Sequence, residues 1–235
     1  QHEEWILGFG WDQNLWDSKL FPQSDFLNNI SPNNPVCFTR IDGHASWVND
    51  AAIVKTNFTI NKLKEINGGK VINNCIMIDN AMGVFKDCLP KEDKGQVKKW
   101  IYSAAHNAFK MGITGVHDAW QDRITIDAIS ELIQEKKFPI RCYGMLASND
   151  DTLLNEYFNQ GHYNNEYLTI RSVKAFIDGA LGSRGAALHE PYCDDQNNCG
   201  LILISKKEFS ELAKLCYKND FQLNTHAIGD RGNDY

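Results

Sequence analysis

The chain has 235 residues, 43% of them hydrophobic, and carries 30 acidic against 24 basic side chains for a formal net charge of −6. That length can bury a substantial core, as one large α/β domain or two small ones, without a disulfide or metal to hold it. The acidic balance, with no basic run or stripe, argues against a general binder of nucleic acid or anionic membrane. No apolar run approaches the roughly 20 residues of a membrane span.

Gln1-His-Glu-Glu4 is acidic and lacks the apolar segment of a secretory leader. Starting without Met, the segment is expected to be a mature form or an excised piece, and the compartment stays open, with the cytoplasm slightly favoured. The seven cysteines show no CxxC spacing, which fits reduced, mostly buried thiols, although Cys193 and Cys199 flank a polar loop and could pair. Asn29-Ile-Ser31 and Asn57-Phe-Thr59 match the glycosylation sequon, a pattern common by chance in an Asn-rich chain.

Along the chain, the first ninety residues predict short strands and turns rich in aromatics. Trp5 to Trp11 is an apolar strand broken by glycines, and Pro35 to Arg40 is a second, followed by the Asp42-Gly-His44 turn. Ile60 to Lys70 is polar and runs into Gly68-Gly69, a hairpin or loop signal. From Glu92 the pattern turns regular. Val97, Trp100, Ile101, Ala104, Ala105 and Ala108 fall on one helical face, and Gly112 stands where that helix should stop. A strand over Ile113–His117 follows, then a helix with Ile126, Ile129, Leu132 and Ile133 on one side. Next come a strand over Phe138–Leu146, a short helix over Asp150–Gln160 and a strand over Leu168–Ile177. Ser205-Lys-Lys-Glu208 is a capping box opening a helix with Phe209, Leu212, Ala213 and Cys216 inward, and Gln222–Ala227 is the last strand.

Alternating strands and helices imply a parallel sheet. Four strands are too few for a closed eight-stranded barrel, and no Gly-rich phosphate loop follows a strand as in an open doubly wound sheet. The expected architecture is α/β: a partial TIM (β/α)8 barrel of metal-dependent hydrolase type with an irregular β-rich N-terminal part. Residues 1–90 form the β- and loop-rich segment, inserted on or preceding the barrel. Residues 91–235 form consecutive βα units of that incomplete barrel.

Two residues near strand ends carry chemistry, because groups there converge on the mouth of a parallel barrel. His226, before Ala-Ile-Gly-Asp230, can offer a neutral ring nitrogen to a metal; a buried histidine bonded to a backbone carbonyl is the competing reading. Lys174 lies among Ile170, Val173, Phe176 and Ile177, so burial should depress its pKa. A neutral amine there can form a Schiff base, or capture carbon dioxide as an anionic carbamate able to bridge two metals. A salt bridge from Lys174 to a carboxylate such as Asp178 competes.

Five stretches resemble the amidohydrolase superfamily, nearest its amidohydrolase-3, YtcJ-like branch: FGWDQNLW (Phe9–Trp16), RIDGHASWVN (Arg40–Asn49), GITGVHDAW (Gly112–Trp120), VKAFIDGALGSRGAAL (Val173–Leu188) and NTHAIGDRGN (Asn224–Asn233). The resemblance implies a metal-dependent barrel that hydrolyses amide-type C–N bonds, other than peptide bonds, with a metal-activated hydroxide. It implies one or two divalent ions, zinc before others, with Lys174 as the carboxylated bridging ligand and His226 as a further ligand. Lys174 and His226 would then be the catalytic pair. Around them, His44, Asp178, Arg184 and Asp230 are candidates to meet a small amide-type substrate. Arg184 could bind a substrate carboxylate through its guanidinium fork, or fix its own loop by a salt bridge.

The family's His-x-His pair occurs nowhere in this sequence, and its later histidine and aspartate would lie beyond Tyr235. The resemblance therefore implies an internal fragment that binds metal weakly and is inactive alone. Two other functions stay open: a barrel lyase or aldolase using Lys174 as Schiff base, and a non-catalytic barrel-like binding domain. A homodimer is open as well.

Overall fold

The computed structural model describes residues 4–235, so most of the acidic opening (residues 1–3) lies outside the described residues. The chain divides into two units. One comprises residues 1–90, 176–205 and 227–235; the other comprises 91–175 and 206–226.

In the first unit, strand β1 (Ile6–Trp11), helix α1 (Ser24–Ile30), β2 (Val36–Arg40) and β3 (Ala45–Val48) are followed by helices α2 (Asp50–Lys55) and α3 (Ile60–Lys64) and strands β4 (Gly69–Ile72) and β5 (Ile76–Asp79). The sheet order is β1-β2-β3-β5-β4, parallel between β1 and β2 and antiparallel elsewhere. Side chains alternate between the faces of a strand, and both faces are apolar. Val36, Ala45, Trp47, Ile76 and Ile78 bury on one side, while Cys37, Val48 and Met77 bury on the other. Trp11 stacks on Trp16 and meets Trp47 edge-on.

Over Ile60–Lys70, where a hairpin or loop was expected, the chain forms the short helix α3 and then β4, which pairs antiparallel with β5. Thr59 caps the helix, its hydroxyl accepting from the Lys62 N–H, and Leu63 is wholly buried. One cap and one anchor make a helix too brief for its periodicity to show in the sequence.

In the second unit, helix α4 (Lys94–Lys110), β6 (Gly115–Gln121), helix α5 (Arg123–Gln134), β7 (Arg141–Ala147), helix α6 (Asp151–Gln160), the two-residue β8 (Tyr163–Asn164), β9 (Leu168–Phe176), helix α7 (Lys206–Lys218) and β10 (Gln222–His226) follow the expected alternation. The sheet order is β10-β9-β7-β6, with β6, β7 and β9 parallel. Asp93, Asp122 and Asp150 cap α4, α5 and α6 through their carboxylates. Gly112 ends the α4 turn at φ +79°, where glycine alone is unstrained. Ile126, Ile129 and Leu132 of α5 and Leu212 and Cys216 of α7 join Leu146, Leu168, Ile170 and Val173 of the strands in one core.

Back in the first unit, helix α8 (Asp230–Asn233) closes the described chain. All seven cysteines are free thiols, Cys193 and Cys199 included. Among the described residues no helix is long and apolar enough to cross a membrane.

Candidate active site

In the second unit the strands share one face opposite the helix-side core. Along β9, Leu168 and Ile170 bury in that core, and so do Val173 and Ala175. Even and odd positions can point the same way only if the strand slips. It does: Gly144 pairs with Ile170 and Met145 with Ser172, leaving Arg171 extra. This bulge resets the alternation and turns Lys174 away from the core.

In β10, Leu223 packs on the core, so Gln222, Asn224 and His226 point the same way as Lys174. Cys142 and Leu146 do likewise for β7, leaving Tyr143 on the shared face. There the Tyr143 hydroxyl donates to Gln222 Oε1 at 2.8 Å, and His117 of β6 stacks on the Tyr143 ring with centroids 5.0 Å apart. Lys174 and His226 thus stand on one face of neighbouring strands, each within two residues of its strand's end.

Lys174 is half-buried, and burial lowers its pKa below that of an ordinary lysine. Burial disfavours the ammonium and so favours the neutral amine, the form that reacts with carbon dioxide. Asn224, two residues before His226, has its Nδ2 buried without a hydrogen-bond partner. Sequence reasoning missed this residue. A buried donor without an acceptor is uncommon in a folded protein, and this one calls for an oxygen on the same face. The donors fit a metal in part: a ring nitrogen at 226 and, after carboxylation, an oxygen at 174. They do not complete a zinc set, which needs at least three protein ligands. Among the described residues no three His, Cys, Asp or Glu side chains are grouped to hold an ion.

The four candidates for substrate contact lie in the first unit. His44 Nδ1 is 2.7 Å from Asp79 Oδ1, with the Asp79 side chain 1% exposed and the His44 ring edge-on to Phe176. Burial alone would lower the His44 pKa. The hydrogen bond and charge of Asp79, with Asp42 and Asp178 behind it, outweigh burial and raise it. Asp79 sits 35 residues from His44 at φ +50°, ψ −120°, and local sequence carries no sign of the pairing. Gly179 and Gly185 close over its carboxylate, where a Cβ at either would overlap the oxygens.

Asp178 is 0% exposed and accepts three backbone N–H groups, from Ala187 and Gly229 at 2.8 Å and from Ile228 at 2.9 Å. It pins the loop after β10. Asp230 is exposed and accepts from the His189 and Arg231 N–H groups, which together lower its pKa. Arg184 donates both arms of its fork to Asp194, at 3.1 and 2.6 Å.

A model of the amidohydrolase family matches residues 1–234. Three curated relatives align. Protein LONG AFTER FAR-RED 3 of Arabidopsis thaliana is 30% identical over 98% of this chain and 42% of its own length. The putative amidohydrolase YtcJ of Bacillus subtilis (strain 168) is 25% identical over 97% and 44%. The exoenzymes regulatory protein AepA of Pectobacterium carotovorum is 23% identical over 89% and 48%. Two solved structures share the fold. One is an uncharacterized metal-dependent hydrolase of Pyrococcus horikoshii OT3, with TM-score 0.64 and 24% identity over 97% of this chain and 46% of that one. The other is an uncharacterized metal-dependent hydrolase of Pyrococcus furiosus, with TM-score 0.62 and 25% identity over 98% and 47%. The chain therefore spans less than half the length of the proteins it matches. With the family model covering all but its last residue, the chain belongs to the amidohydrolase family.

Proposed function

We propose that this chain is part of a metal-dependent amidohydrolase that cleaves an amide-type C–N bond in a small molecule, and that its second-unit sheet is part of a (β/α)8 barrel. Family membership and the metal-dependent hydrolases among its structural neighbours support the reading. The observation that carries it is the bulge at Arg171, which turns Lys174 out of the core onto the face that holds His226.

In this reading the half-buried Lys174 amine, its pKa lowered by burial, adds carbon dioxide: a new N–C bond forms, one proton leaves, and a carbamate anion remains. Its oxygens and the His226 ring nitrogen would hold a divalent ion, zinc before others. Such an ion polarises a carbonyl and makes water acidic enough to attack near neutral pH. The buried Asn224 Nδ2 would donate to an oxygen bound on this face. Within the first unit, Asp178 fixes the 227–229 loop, and Asp230 orders the turn of α8.

The test is carbon-13 NMR of the chain in labelled bicarbonate with zinc. A carbamate carbon signal is expected in the wild-type protein and lost in Lys174→Ala. Its absence from the wild type, or its persistence in the variant, removes the reading.

A further inference from the structure

The guanidinium of Arg184 is held from several sides. Its carbon lies 5.4 Å from the Phe21 ring centre. Its own backbone is fixed by Arg184 N–H donating to the Leu181 carbonyl at 3.0 Å and by Asn198 Nδ2 donating to the Arg184 carbonyl at 3.2 Å. Its φ of +58° is a left-handed conformation that costs a non-glycine residue free energy, and such strain recurs at ligand clamps. The arginine side chain is 15% exposed, while that of its partner Asp194 is 61% exposed. One member of the pair is anchored, and the other stands in solvent.

Beside the pair opens a cavity of about 250 Å³, lined by Asn14, Leu181, Gly182, Arg184, Tyr192 and Asp194. Its Gly182 side is fixed: the Gly182 carbonyl accepts from Gln13 Nε2 at 3.3 Å, and a Cβ at 182 would press on the buried Arg40 guanidinium. The cavity offers a planar two-donor fork, an amide side chain and an apolar patch at Leu181. It is smaller than the usual drug-sized pocket, which restricts the occupant to a short molecule.

We propose that this cavity is a subsite for a short carboxylate that also carries an amide, and that Asp194 is a built-in stand-in for its carboxylate, displaced when the ligand binds. The idea rests on the amide-hydrolase reading for the ligand's second group. Bidentate Arg–carboxylate geometry serves a free carboxylate as well as a tethered one. The tethered one competes at the high effective concentration of a short linkage. The subsite is therefore gated, with an affinity set by how readily Asp194 lets go.

N-acetylglycine is the probe, N-acetylglycinamide its uncharged control, and both are titrated into the full chain without metal. Binding is followed by the Arg184 Nε–H NMR signal and by melting temperature. Asp194→Asn is expected to bind N-acetylglycine about tenfold more tightly than the wild type, a difference near 1.4 kcal/mol. Adding Arg184→Gln should abolish the binding, and the control should bind neither protein. No gain in Asp194→Asn, a gain that survives Arg184→Gln, or equal binding of the control overturns the proposal. Should the variants unfold by circular dichroism, the wild type decides: an Arg184 Nε–H signal unmoved by N-acetylglycine sinks the subsite. Because no metal or turnover is used, a failure here leaves the Lys174–His226 reading standing, and the reverse also holds.

Discussion

At the residue scale the His44–Asp79 pair, 2.7 Å apart, predicts a pH signature. The folded His44 pKa is raised, chiefly because Asp79 outweighs the opposing burial. A raised histidine contributes stability that is fully present below its unfolded pKa, about 6.5, and is lost as pH rises through the folded value. The melting temperature of the wild type should therefore exceed that of Asp79→Asn most below about pH 6.5, and the gap should narrow as pH rises through the folded value. A gap independent of pH would show that the ring is not protonated in the fold. The sequence marked His44 through its Asp-Gly-His turn but hid Asp79. Only tertiary pairing brings position 79 to position 44, and only glycines at 179 and 185 leave room for its carboxylate. Asn224 was hidden for a related reason: an asparagine in a strand looks ordinary until burial leaves its Nδ2 unmatched.

At the element scale, one carboxylate ties two loops together. Asp178 Oδ2 accepts from both Ala187 and Gly229, and Oδ1 accepts from Ile228. Gly229 is buried, and a Cβ there would overlap the Ala187 backbone, which has no flexible end to give way. Asp178→Ala leaves three N–H groups without their acceptor and should cost about 3 kcal/mol or more, since each unsatisfied buried donor costs roughly 1–3 kcal/mol. Gly229→Ala should cost about 1–3 kcal/mol by overpacking. Because both changes loosen the same junction, the double variant should lose less than the sum in urea unfolding; strict additivity would refute the shared clamp. The elements themselves were largely legible. The 3.6-residue periodicity marked α4, α5 and α7, although Trp100 and Ala104 of the face expected for α4 stand exposed, and it failed for the five-residue α3. Strand ends moved by a few residues, and the bulge at Arg171 left no sign in the pattern, because four apolar residues around it look alike whichever face they take. That slip decides where Lys174 points, so the motif containing this lysine could be recognised while its orientation could not be derived.

For the whole molecule the question is how much of a metal site 235 residues can supply. The two donors that fit, Lys174 once carboxylated and His226, are half of a tetrahedral set, and the described residues hold no grouped third. Structural zinc sites with full sets bind with roughly 10–16 kcal/mol. Half a set, with water completing the sphere, should fall well short of that, so zinc is expected to bind this chain no more tightly than about 1 μM, which corresponds to −8.2 kcal/mol. At a zinc concentration ten times the dissociation constant the folded state would gain only about 1.4 kcal/mol, a small rise in melting temperature that a chelator should reverse at once. His226→Ala should abolish the rise. Isothermal titration with zinc, with and without bicarbonate, separates the donors. Bicarbonate should strengthen binding in the wild type and have no effect in Lys174→Ala, because only the carboxylated amine adds an oxygen ligand. Stoichiometric zinc that resists a chelator would mean that other side chains complete the set, and that the face shared by β9 and β10 is not where the ion is held.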